Sequence, residues 1–141
     1  MPTTRASGEH TPVILPLAPA DARRELRILL AGTRWCPQVD SVVLAVHEAL
    51  VNADRHGGGA VRLDVCIHGD ALVIEVCDRG PGFEFPTPAD QVVTETSDPF
   101  SEHGRGVWLI CQIASRAETD RRGDNFCLRM QFDPPGGRTR R

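Results

Sequence analysis

The chain has 141 residues, one domain's worth, with 19 acidic and 16 basic side chains and a formal net charge of -3. Every basic residue is arginine, and there is no lysine or tyrosine. A P-loop, a protein-kinase strand lysine and Schiff-base chemistry are therefore excluded, and the mild acidity argues against a nucleic-acid reader. The bland source of the all-arginine usage is genome composition.

Residues 1–10 are small and polar and read as a flexible N-terminal arm. Val13-Ile14-Leu15, bracketed by Pro12 and Pro16, reads as a short strand at a sheet edge. A helix is expected from Asp21, with Leu26, Leu29 and Leu30 as its stripe and Gly32 as its stop. The strongest helix runs from Val39 to His56. Val39, Val42, Val43, Val46 and Leu50 recur at helical spacing, and Gly57-Gly58-Gly59 ends it.

Two alternating strands follow, through Val61, Leu63, Val65 and Ile67, then Leu72, Ile74 and Val76, with Gly69-Asp70 as a hairpin turn. One face of this hairpin is apolar, so a helical layer should cover it. From 83 to 103 the period fails, as expected of a lid or binding loop. Gly104-Arg105-Gly106 opens a helix with Val107, Ile110, Cys111 and Ala114 as its stripe, and Trp108 reads as packing. Strands at Ala117–Asp120 and Asn125–Phe132 close the domain around Arg122-Gly123-Asp124, and 133–141 reads as a disordered tail. No apolar run reaches the roughly 20 residues of a membrane span. The five cysteines are odd in number and lack a C-x-x-C, so buried free thiols in a reducing cytoplasm are expected and a zinc site is not.

Three clusters carry chemistry. Glu48 and Asn52 share a face of the long helix, roughly opposite the valines and beside the small residues Ser41, Ala45 and Ala49. Small neighbours around a carboxylate and an amide leave room for a ligand; the competing reading is a polar outer face ending at His56. His47-Glu48 is not a phospho-acceptor box, because Ala49-Leu50-Val51 follows. At a strand end, Asp78-Arg79-Gly80-Pro81-Gly82-Phe83 offers a carboxylate to an exocyclic amine and two glycines for close approach, or else an ordinary turn. Gly104-Arg105-Gly106 at a helix start offers free N–H groups to an anion, or else a hinge.

Taken together and in order, these clusters resemble a known superfamily. Glu48-x-x-x-Asn52-Ala53-x-x-His56-Gly57 looks like the N box of the GHKL (histidine kinase-like) ATPases. Asp78-x-Gly80-x-Gly82-Phe83 looks like the G1 box, and Gly104-Arg105-Gly106-Val107 looks like the G2 box. Within it the chain is similar to the bacterial anti-sigma-factor serine/threonine kinases, because the domain stands alone and a strand and helix precede the N box.

That resemblance implies an α/β two-layer sandwich, the Bergerat fold, with a mixed, mostly antiparallel sheet and helices on one face. The ATP-binding domain would be 11–132. ATP and Mg²⁺ are the implied cofactors. Asn52 would bind the metal, Glu48 would be the general base and Asp78 would take adenine N6. Gly80 and Gly82 would shape the pocket, and Gly104, Gly106 and the N–H of Val107 would hold phosphate. A bidentate phosphate contact by Arg105 is a reading of the residue itself, set against an exposed lid arginine.

The implied function is a cytoplasmic kinase that phosphorylates a serine on an anti-sigma-factor antagonist of STAS type and controls a sigma factor. It would act as a homodimer, with no membrane and no direct nucleic acid. The alternatives are a non-catalytic ATP-binding or partner-binding module and, less favoured, an ATPase subunit of another machine. One departure matters: the family usually has Gly-Thr in the last hairpin, where the threonine supports the adenine carboxylate, and here Asp124 and Asn125 follow Gly123. Branches that place a lysine on the γ-phosphate are excluded.

Overall fold

The computed structural model describes residues 12–83 and 105–136. Five strands form one sheet: β1 (Val13–Ile14), β2 (Ala60–His68), β3 (Ala71–Asp78), β4 (Arg116–Arg122) and β5 (Asn125–Phe132). Their spatial order is β1-β2-β3-β5-β4, and all four pairings are antiparallel. Three α-helices are described, α1 (Pro19–Leu30), α2 (Val39–Gly57) and α3 (Arg105–Ile113), with a 3-10 turn at Cys36–Gln38 leading into α2. The expected two-layer sandwich is therefore present, and among the described residues its sheet is antiparallel throughout.

Side-chain alternation explains the layering. Leu63 and Val65 of β2, Leu72, Ile74 and Val76 of β3, and Leu128, Met130 and Phe132 of β5 point to one face. There they pack in one core with Leu26 and Leu30 of α1, Val42 and Val46 of α2, and Ile110 of α3. Fully burying each such side chain stabilises by about 1.5–3 kcal/mol. Trp35, between α1 and α2, seals one end: it is buried and its indole Nε1–H donates to the Phe132 carbonyl at 3.0 Å. Beyond β5, the Asp133 N–H donates to Ser115 Oγ at 2.9 Å, and Gln38 donates to the Asp133 carbonyl at 3.0 Å.

Helix boundaries follow local chemistry. α1 starts two residues before Asp21, because Pro19 suits a first helical turn, where no N–H is needed. α2 ends at Gly57, with Gly58 left-handed at φ 76°.

The expectation of free thiols throughout is corrected at one pair. Cys77 and Cys127 form a disulfide, while Cys36, Cys66 and Cys111 remain thiols and Cys36 is exposed rather than buried. The two bonded cysteines are direct partners in the β3–β5 register, with Cα atoms 4.1 Å apart. They sit on the sheet face away from the helices, each 2% exposed. That face also carries ion pairs. Glu75 accepts from Arg122 through both oxygens, at 3.1 and 2.7 Å, and Arg122 also donates to Asp120 at 2.9 Å. Hydrogen bonds to Glu75, then to Asp120, raise the Arg122 pKa above its ordinary value.

Candidate functional site

α2 carries the first half of the site. Its valines commit one face to the core, and Glu48 and Asn52, one helical turn apart, share another face of this helix, on which α3 packs as well. Glu48 is buried at 8% exposure, and Asn52 is half-buried. The Asn52 side-chain amide makes no hydrogen bond to a described residue. Ala45 and Ala49 are buried in the core. Both are covered by the fold, so the expectation that they leave open room for a ligand is corrected.

The first turn of α3 lies against Glu48. A Cβ built on Gly106 would stand 3.1 Å from Glu48 Oε1, tighter than ordinary contact. The absent side chain at Gly106 is what lets the helix start approach the carboxylate. The N–H groups of Gly106 and Val107 belong to the first turn, where the helix itself provides no acceptors. They are available to an anion, and Val107 anchors the turn at 8% exposure. Gly104 and the Arg105 side chain lie outside the described residues, as does the expected lid beyond Phe83.

Asp78, at the end of β3, is the second buried carboxylate, at 9% exposure. One oxygen, Oδ1, accepts the Gly80 N–H at 2.7 Å. That bond pins the turn and leaves Oδ2 for another donor. Two glycines make the socket. A side chain on Gly57 would run into the Asp78 carboxyl group, and one on Gly80 would meet Gly57 Cα and the His56 carbonyl. The C-terminus of α2 and the loop after β3 are therefore one close-packed unit around Asp78.

Sequence reasoning assigned Gly57 only to the helix end and the motif. It missed Phe126 and Arg121 altogether. Phe126 is the β5 partner directly opposite Asp78. Its ring meets Phe83 edge-on at 5.2 Å, and Gly82, at φ 84°, has no room for a side chain above it. Arg121 lies over the same ring, 5.6 Å from its centroid, and donates to the Gly80 carbonyl at 2.8 Å. Pro81, Gly82, Phe83, Thr119, Asp120, Arg121 and Phe126 line a cavity of about 500 Å³ beside this turn. A usable signal was present: Phe126 shares the alternation of Leu128, Met130 and Phe132. Only the strand register, however, puts it opposite Asp78.

Among the described residues no three His, Cys, Asp or Glu side chains converge on a metal position. An all-protein cage is thus absent there, and a half-buried Asn52 amide one helical turn from Glu48 suits the sparse ligation that Mg²⁺ takes with phosphate. The residues fit the ion.

The site and fold define a nucleotide-binding α/β sandwich. The chain belongs to the histidine kinase-like ATPase domain family, whose model matches residues 17–132. Membership makes ATP the ligand class and gives the domain a kinase-like regulatory character. Among solved structures it is similar to Acinetobacter baumannii histidine kinase AdeS, at 11% identity and a TM-score of 0.50, over 89% of this chain and 68% of that one. That likeness is one of fold. No curated protein matches the sequence. Among the described residues no helix is long and apolar enough to cross a membrane.

Proposed function

We propose that the domain is a cytoplasmic Mg-ATP-dependent serine/threonine kinase of anti-sigma-factor type. Its substrate is a serine on a STAS-type anti-sigma-factor antagonist, and through that exchange it controls a sigma factor, acting as a homodimer. The observation that carries the reading is the pairing of buried Glu48 with Asn52 on one face of α2, against the glycine-led first turn of α3.

The positions support the following division of roles. Asp78 offers Oδ2 to the exocyclic amine of adenine, because Oδ1 is occupied by the Gly80 N–H. The N–H groups of Gly106 and Val107 bind phosphate oxygens. Asn52 would hold Mg²⁺ through its amide oxygen, and that ion would supply neutralisation of the phosphate charge. Glu48 accepts the proton of the substrate serine as its Oγ bonds to the γ-phosphorus. The bond from that phosphorus to the bridging oxygen then breaks, and ADP leaves. Phosphoryl transfer needs positioning and charge neutralisation above all, so one carboxylate base is sufficient.

Incubation with Mg-ATP and candidate antagonists tests this directly. Serine phosphorylation that vanishes in Glu48→Gln supports it. Failure to phosphorylate any antagonist encoded nearby defeats it.

A second reading is favoured by one observation. Phe126 stands opposite Asp78, and Asp124 follows Gly123, so no threonine hydroxyl supports the carboxylate from this hairpin. A non-catalytic module that binds ATP and regulates a partner by conformation fits that arrangement. Calorimetric titration separates the two: binding without turnover selects the module.

A further inference from the structure

The Cys77–Cys127 bond occupies a telling position. Cys77 immediately precedes Asp78, and Cys127 immediately follows Phe126. The next register pair along β3 and β5 is Asp78 with Phe126. The disulfide is therefore one residue from the carboxylate read as the base-binding group, on the opposite face of the same two strands.

Its neighbours along the sheet are polar. Across the sheet the row reads Arg62, Cys77, Cys127, Asp120 on β2, β3, β5 and β4. The row thus sets a basic side chain on one side of the bond and an acidic one on the other, with the Arg62 guanidinium held by Asp64 at 2.6 Å. The bond is also selective. Cys66 lies on β2 opposite Val73, and Cys36 and Cys111 lie on other elements; all three remain thiols. Small disulfide-framework domains pair most of their cysteines, whereas in a reducing compartment a disulfide is usually transient or redox-sensing.

We infer that Cys77 and Cys127 are a reversible dithiol–disulfide modification site that sets the affinity of the Asp78 end for nucleotide. This rests on the reading of Asp78 given above. The oxidant is a low-molecular-weight disulfide. The thiolate of one cysteine attacks one of its sulfurs and expels a thiolate, leaving a mixed disulfide on the protein. The second cysteine thiolate attacks the protein sulfur of that mixed disulfide and expels the other small thiolate. The two protons lost by the cysteines end on the two released thiols. A small dithiol reverses both steps.

The coupling is steric. Both sulfurs are buried between strands, each residue 2% exposed. Opening the bond removes the covalent tie between β3 and β5 at this row and puts two thiols where one bonded pair stood. Asp78 and Phe126 are the next residues on those strands, so the socket that Gly57 and Gly80 form around Asp78 loosens. The bonded form is the tight-binding form.

The test equilibrates the full chain with oxidised and reduced small-thiol mixtures, maps disulfides without reduction, and titrates each form with Mg-ATP. A Cys77–Cys127 crosslink that forms and opens with the mixture is expected, with at least threefold tighter ATP binding when it is closed. Cys77→Ser/Cys127→Ser, and separately Cys77→Ala/Cys127→Ala, should bind like the reduced protein and ignore the mixture. Failure of the crosslink to form overturns the inference. A crosslink with equal ATP affinity in both forms overturns it and leaves the ATP reading standing. ATP binding by neither form defeats both, even where mapping finds the crosslink.

Discussion

The carboxyl group of Asp78 fills the space that a side chain on Gly57 would occupy. The end of the long helix and the end of the central strand are thereby matched through a missing Cβ. Gly57 is the last residue of α2, and in a helix alanine is favoured over glycine by about 1 kcal/mol. Propensity alone would make Gly57→Ala stabilising.

Sterics decide the sign. A Cβ at Gly57 displaces the Asp78 carboxyl, and the neighbouring Gly80 closes the other side. Overpacking of this kind costs roughly 1–3 kcal/mol, which outweighs the helical gain. Gly57→Ala should lower the urea midpoint and weaken ATP binding together. A midpoint that rises, with binding intact, would show that Asp78 has another place to go.

Glu48 and Asn52 separate transfer from binding. Asn52→Ala removes the amide oxygen read as the Mg²⁺ ligand, so Mg-dependent nucleotide binding should be abolished. Glu48→Ala should retain binding and lose transfer by roughly 10²–10⁴-fold, the usual worth of a general base. Gly106→Ala crowds Glu48 Oε1 at 3.1 Å and should resemble Glu48→Ala more than Asn52→Ala. Titration and single-turnover transfer read the two quantities. Equal binding loss in Glu48→Ala and Asn52→Ala would sink the division of roles.

Which features were legible in the chain depends on how local their causes are. The valine spacing of α2 and the alternation of β2 and β3 are set within one element, and the structure has them nearly as read. So is the turn at Gly69, which takes φ 64°. The Glu48–Asn52 pair was legible because one helical turn fixes it. Other features depend on register between distant strands. Cys77 and Cys127 are separated by 50 positions, and no spacing rule joins them. Phe126 meets Asp78 by the same long-range pairing. Ala45 and Ala49 were misread because small residues fill a core as readily as they make room for a ligand, and only the folded packing chooses between them.

Cys111 gives a pH dependence of definite sign. Burial raises its thiol pKa above the ordinary value. The folded state then holds this proton more tightly than the unfolded state. The associated stability is fully present below the unfolded value of ~8.5 and is lost as pH rises from there through the folded value. Alkylation should reach exposed Cys36 first, with Cys111 labelling slowly near pH ~8 and faster as the pH climbs past the unfolded value. Equal labelling rates for the two near pH ~8 would contradict the burial argument.

Opening the Cys77–Cys127 bond should also change stability, apart from any effect on nucleotide. The bond joins positions 50 residues apart, so on the chain-entropy account it restrains the unfolded chain by about 4 kcal/mol. Against a typical domain stability of about 5–15 kcal/mol that is a large share. Reduction should lower the urea midpoint, and the m-value should rise as the uncrosslinked chain expands and exposes more surface. The two effects have a common origin in the unfolded state, so they must appear together. A lowered midpoint with an unchanged m-value would instead place the loss in the folded sheet, where β3 and β5 lose their covalent tie. Urea titrations of the oxidised and reduced protein, in the absence of ATP, distinguish the two.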